Sequence, residues 1–110
     1  MTRLNTDPFQ AIADSNRREI LLLLSDKKLS INTLADNFSI SRPAVSKHIK
    51  VLHEAGFIHI TDEGRERYCE LNAAGFDEVK QWISYFEKFW TEKLQNLEDL
   101  LNKRANTSTN

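Results

Sequence analysis

The 110-residue chain has few turn residues, one thiol, almost no net charge and no long apolar run. Three glycines and two prolines leave little material for tight turns. That excludes an all-β sandwich or barrel, in which turn residues recur about every 8–12 positions, and favours long helices. Cys69, the single cysteine, cannot close an internal disulfide or supply a multi-thiolate metal site. The longest uninterrupted apolar run, Ile20–Leu24, has five residues, against the roughly 18 or more that a membrane-spanning helix needs. The N-terminus also lacks an apolar signal-peptide core, so a cytoplasmic chain without membrane contact is expected. With 40% hydrophobic and 28% charged residues, the composition is that of one soluble globular domain.

A net charge of −1 says nothing about partners, but its distribution does. From Ser41 to His53 stand Arg42, Lys47 and Lys50 without a single acid, a local +3. From Phe76 to Arg104, six acids and five bases nearly cancel. One short segment can therefore meet an anion while other faces serve protein contacts.

Along the chain, Asp7-Pro8 is a helix start, Asp as cap and Pro in the first turn, and Phe9, Ile12 and Ala13 give it a short apolar face. A second helix begins near Asp14-Ser15 and carries the run Ile20–Leu24, which predicts burial on most sides. Asp26-Lys27-Lys28 reads as a turn. Ser30 caps a third helix, with Ile31, Leu34, Ala35 and Phe38 at helical spacing. After Ser39-Ile40, Ser41 caps a fourth, tolerating Pro43 in its first turn and ending at Gly56. Val45, Ile49 and Leu52 make its apolar stripe; Pro43, Ser46, Lys47 and Lys50 fall on the opposite side. Two helices joined tightly, the second apolar on one face and basic on the other, form a helix-turn-helix pattern. Phe57–Thr61 and Glu66–Leu71 flank the polar, Gly-bearing Asp62–Arg65 and read as a β-hairpin. A hairpin directly behind a helix-turn-helix makes a winged helix.

From about Phe76 the helical period returns and continues almost to Arg104. Phe76, Val79, Ile83, Phe86, Trp90, Leu94, Leu97 and Leu101 step by three and four, and Trp82, Phe89 and Leu100 widen the stripe. Some seventy preceding residues are too few to cover so long a face, which marks an association surface. The expected fold is mainly α with a small hairpin, a dimeric winged helix-turn-helix in the order α-α-α-α-β-β-α. Residues 1–104 form one DNA-binding and dimerisation domain, with the winged helix at 7–72 and the dimerisation helix at 73–104. A disordered polar tail at 105–110 follows.

The segments Phe9–Leu21 and Ser41–Leu52, the continuation Glu54–Ile58 and then Glu63-Gly64-Arg65 resemble the ArsR family of bacterial winged-helix repressors. The resemblance covers residues 7 to 101. It implies a dimer built from the first and last helices, with the helix from Ser41 entering the major groove of double-stranded DNA. The stretch Phe89–Leu97 is similar to the branch without known metal sites. Metal sensors of the family often carry a Cys-x-Cys pair where this chain has Ser30-Ile31-Asn32. Others place His on the last helix, which here has none. Ser15 stands where many members have Pro, a difference confined to a helix start.

The resulting DNA-contact residues are Ser41, Arg42, Pro43, Ala44, Ser46, Lys47, His48 and Lys50 on the helix, and Arg65 and Arg67 on the wing. Lys and Arg release counterions condensed on DNA. Arg42, near the helix start, suits a bidentate bond to guanine, and Pro43 and Ala44 suit thymine methyls. Glu63 and Glu66 dilute the wing's charge, which mildly favours a module that dimerises without binding DNA; the basic helix opposes that. The dimer-interface residues are Phe9, Ile12, Phe86, Trp90, Leu94 and Leu97. His48 and His53 lie about 140° apart on one helix and cannot share an ion within a chain, so neither metal nor cofactor is expected. The alternative is a repressor released by a metal, by oxidation of Cys69 or by a small ligand at the dimer interface. No nucleophile–base set, paired carboxylates or phosphate loop offers catalysis.

Overall fold

A computed structural model describes residues 7–108, with side chains through Ala105. The remainder of the expected domain at the N-terminus and the last two residues of the tail lie outside the described residues. The elements are α1 (Pro8–Ala11), α2 (Ser15–Leu23), β1 (Leu29–Ser30), α3 (Ile31–Ala35), α4 (Arg42–Glu54), β2 (Ile58–Glu63), β3 (Glu66–Leu71), a 3-10 turn (Ala73–Phe76) and α5 (Asp77–Ser108). This is the winged helix-turn-helix that the sequence predicts, with one strand more.

The extra strand, β1, pairs antiparallel with β3, Leu29 opposite Cys69 and Ser30 opposite Tyr68, in a sheet of order β1-β3-β2. Two residues are too few for a period, so nothing in the sequence announces it. Ser30 ends the strand and caps the next helix, its Oγ accepting from Thr33 N at 3.1 Å. Caps operate at the starts of α1, α2 and α4 too. Asp7 Oδ1 accepts from Phe9 N at 3.0 Å, Asp14 Oδ1 from Asn16 N at 2.8 Å, and Ser41 Oγ from Ala44 N at 3.3 Å. Each satisfies a backbone donor that the first helical turn leaves without a partner.

The chain divides into two compact units, one up to Glu78 and one from Val79. The 3-10 turn thus falls in the first unit, and the reason is local. Asn72 Nδ2 donates to Gly56 O at 3.0 Å, and the Phe76 ring tilts against Phe57 with centroids 4.7 Å apart. Phe76 thus belongs to the first unit and not to the stripe of the last helix. Gly75 approaches so closely that an added Cβ would stand 1.8 Å from Gly56 O. Gly56 itself, at φ 89°, turns the chain out of α4 in a conformation L side chains rarely adopt.

In the first unit, Ile20, Leu24, Leu34, Val45, Ile49, Leu52, Phe57, Ile58 and Cys69 form the core. Leu22 corrects the expectation for α2: it is 66% exposed, because a helix of this length buries one face and Leu22 points off it. In the second unit, α5 continues through Ser108, past the expected helix end at Arg104. No Pro or Gly stops it, and Ala105 is a strong helix former, so the helix propagates through residues read as a disordered tail. No helix among the described residues is long and apolar enough to cross a membrane.

Candidate nucleic-acid interface

Helix α4 separates its faces as its sequence pattern requires. Val45, Ile49 and Leu52 are buried, while Ser41, Arg42, Pro43, Ser46, Lys47 and Lys50 are exposed and Ala44 is half-buried. Lys47 and Lys50 have no hydrogen-bond or ion-pair partner among the described residues. Two ammonium groups thus stand in water on one helix, without a carboxylate to neutralise them.

Arg42 is held differently. Its Nη1 donates to Asn32 Oδ1 at 2.6 Å, and Nη2 lies 3.9 Å from Asp36 Oδ1. Both partners belong to the helix-turn-helix, so the guanidinium is ordered over the start of α4 while remaining exposed. His48 is half-buried, its Nδ1 3.1 Å from Arg17 Nη1. A guanidinium carries donors only, so Nδ1 accepts and the proton of the neutral ring sits on Nε2. Arg17 also donates from Nε to Ala11 O at 2.6 Å and from Nη2 to Gln10 O at 3.2 Å, and this joining of α1 to α4 was not legible in the sequence. Nearby, desolvation raises the Asp14 pKa, but backbone N–H bonds from Arg17 and Asn16 outweigh it, together with the charge of Arg17 and that of His48 in its protonated form. The carboxyl is held below its ordinary value.

On the wing, Glu63 pairs with Glu66 across a two-residue turn, Gly64-Arg65, with Gly64 at φ 65°. The acids that dilute the wing's charge are engaged. Glu63 takes Lys28, whose pKa that bond raises. Asp62 takes Arg67 at 3.0 Å, and Glu66 accepts from Asn32 Nδ2 and the Tyr68 hydroxyl, both at 3.4 Å. Arg65, at the tip, is left exposed without a partner among the described residues. The wing therefore presents one unpaired cation at its end.

Between α4 and the hairpin, with Ile31 of α3, runs a cleft of about 430 Å³ whose apolar lining is Ile31, Ile49 and Ile60. Ser46, Lys50, His53 and Arg67 also line it. His53 is the residue here that sequence reading missed, although its place three positions after Lys50 and seven after Ser46 puts it on their face.

Among the described residues no three His, Cys, Asp or Glu side chains come together as a metal-binding group. Cys69 is fully buried, and burial pushes its pKa up to about 11, against a smaller opposing effect of Arg67. Its sulfur is a protonated thiol at neutral pH, whereas oxidation-sensing cysteines are accessible thiolates.

A helix-turn-helix with a basic outer face, backed by a β-hairpin wing, defines a DNA-binding transcriptional regulator. Comparison with known proteins gives the same class. Residues 14–59 match the bacterial regulatory protein, arsR family. Over 97 residues the chain is 32% identical to the HTH-type transcriptional regulator Rv2034 of Mycobacterium tuberculosis, covering 88% of each. It is 33% identical over 78 residues to the transcriptional repressor SdpR of Bacillus subtilis, covering 71% of this chain and 87% of that one. The crystal structure of the ArsR family transcriptional regulator RHA00566 superposes with a TM-score of 0.69 at 33% identity, covering 76% of this chain and 92% of that one. The chain belongs to the arsR family of bacterial regulatory proteins.

Proposed function

We propose that this protein is a homodimeric repressor that binds a pseudo-palindromic operator in the cytoplasm, without a metal and without catalysing a reaction. The helix α4 enters the major groove through Ser41, Arg42, Pro43, Ala44, Ser46, Lys47 and Lys50, with His48 at its edge and Arg65 and Arg67 on the adjacent backbone. The observation that carries this is the pair Lys47 and Lys50, exposed and unpaired on the outer face of a helix whose other face is core. An uncompensated cation in water gains most from a polyanion, because contact releases condensed counterions.

One recognition helix spans only a few base pairs. Two helices held about 34 Å apart by a two-fold axis read half-sites one turn apart on the same side of the duplex. The spacer is α5 with α1, through Phe86, Trp90, Leu94, Leu97, Phe9 and Ile12. The four on α5 are 39–62% exposed in the single chain.

Replacing Lys47 and Lys50 by Ala tests the DNA assignment. Each lost phosphate contact lowers the slope of log K against log salt by about 0.9, on specific and random duplexes alike. An unchanged slope at unchanged affinity removes both from the interface. Zinc, cadmium or arsenite at micromolar levels leaves operator affinity unaltered. A stoichiometric metal that shifts affinity tenfold, about 1.4 kcal/mol of coupling, establishes the sensor alternative instead.

A further inference from the structure

We propose that the cleft between α4 and the hairpin seats the sugar-phosphate backbone of one DNA strand, and that His53 is a contact residue there. The inference rests on the DNA-binding reading of α4 and the wing and extends it to a surface neither element forms alone.

Three observations carry it. The first is charge: Lys50, His53 and Arg67 converge on the cleft with the Ser46 hydroxyl, and no carboxylate lines it. The charged groups that share the cleft with His53 are Lys50 on its own helix and Arg67 on β3, Arg67 being paired with Asp62, and Glu54 is next in sequence. The second is the apolar part of the lining, Ile31, Ile49 and Ile60, a low-dielectric wall that concentrates the field of the cations beside it. Deoxyribose offers such a wall a matching apolar surface. The third is shape. The cleft is partly open to solvent rather than enclosed, which suits a strand lying in it better than a small molecule, whose pocket encloses most of its surface.

The Asp62–Arg67 pair does not block this use. Both side chains are mostly exposed, at 73% and 64%, and exposed ion pairs are weak. A phosphate entering the cleft can therefore share the guanidinium. With the reading helix in the major groove and the hairpin at the neighbouring minor groove, the strand dividing the two grooves passes between them, where the cleft lies.

The test uses fluorescence anisotropy with a labelled random-sequence duplex of about 30 base pairs, at about 50–200 mM KCl, where phosphate contacts dominate. Assays run at about pH 5.5 and 8.5, which bracket the range in which imidazoles titrate. Wild type is compared with His53→Ala, His53→Gln and, as a control outside the cleft, Lys47→Ala; circular dichroism checks each fold.

At the lower pH, His53→Ala is expected to weaken binding several-fold and make the salt slope shallower by about 0.9. At the higher pH that slope difference disappears, and His53→Gln, whose amide still donates, matches wild type. If both His53 variants bind like wild type at both pH values while Lys47→Ala weakens, the cleft proposal is overturned and the DNA reading stands. A loss equal at both pH values, shared by Ala and Gln, makes His53 structural and overturns its contact role. A wild-type chain that does not bind the duplex removes the reading beneath the proposal, and the proposal with it.

Discussion

The two units of this chain are built from the same apolar residue types and treat them in opposite ways. Up to Glu78, short helices cross one another and the sheet, and Phe57, Ile20, Leu34, Ile49 and Leu52 are enclosed. From Val79 onward a single helix carries Trp82, Ile83, Phe86, Trp90, Leu94, Leu97 and Leu101, each 39–62% exposed. A helix of 32 residues, about 48 Å long, cannot cover its own stripe. Burial of a large apolar side chain contributes about 1.5–3 kcal/mol, so the second unit leaves much stabilisation unrealised in one chain. The first unit encloses its large apolar side chains within one copy, and the second leaves its own open to solvent.

The sharpest way to break that contrast is to charge the exposed stripe. Trp90→Glu with Leu94→Glu is expected to give monomers that keep the first unit folded and lose specific operator binding, read by light scattering with circular dichroism. A double variant still dimeric at micromolar concentration places the interface elsewhere. The converse experiment attacks the first unit. Gly75→Ala drives a methyl into the Gly56 carbonyl, and urea denaturation should show a loss of about 2–4 kcal/mol. A loss under half a kcal/mol would show that the 3-10 turn can move away freely.

The smallest effect sharpens the comparison chemically, through the thiol of the enclosed core. Cys69 ionises near its ordinary value of 9.0 once unfolded and only at about 11 when folded. Below the unfolded value both states hold the proton, and stability is unaffected. Above it the unfolded chain alone loses the proton, so stability falls with a slope approaching about 1.4 kcal/mol per pH unit until the folded thiol also ionises. Iodoacetamide labelling at neutral pH should accordingly track unfolding. Fast labelling of native protein would contradict the burial of the sulfur.

Much of this was legible from residues alone, and the limits have physical causes. The caps Asp7, Asp14, Ser30 and Ser41 and the stripe Val45–Ile49–Leu52 announced themselves because capping and helical period are local. Strand β1 escaped because two residues carry no period and its pairing partner, Cys69, is far along the chain. The exposure of Leu22 escaped because an unbroken apolar run does not say which face packs. The polar run after Arg104 suggests a helix end there, although propagation in an established helix depends little on polarity. At the interface, the exposure of Lys47 and Lys50 followed from the helical wheel. The holds on Arg42 by Asn32, on Arg67 by Asp62 and on His48 by Arg17 depend on tertiary neighbours. His53 went unselected because the hairpin, not the helix, gives it company.

The hold of Arg17 on two elements has a mechanical meaning. One guanidinium grips the carbonyls of Gln10 and Ala11 in α1 and, 3.1 Å away, the ring of His48 in α4. In the proposed dimer, whose contact includes α1, that grip would carry the angle of the subunit contact to the helix proposed to read bases. In the proposed dimer each reading helix would lie about 17 Å from the two-fold axis, half the distance between half-sites. At that radius a rotation of about 5° carries a side chain roughly 1.5 Å along the groove, more than the tolerance of a hydrogen bond. In that proposed dimer Arg17, which need touch neither DNA nor the partner, would limit the angular play of the pair of helices, and with it how strictly the operator's spacing is enforced.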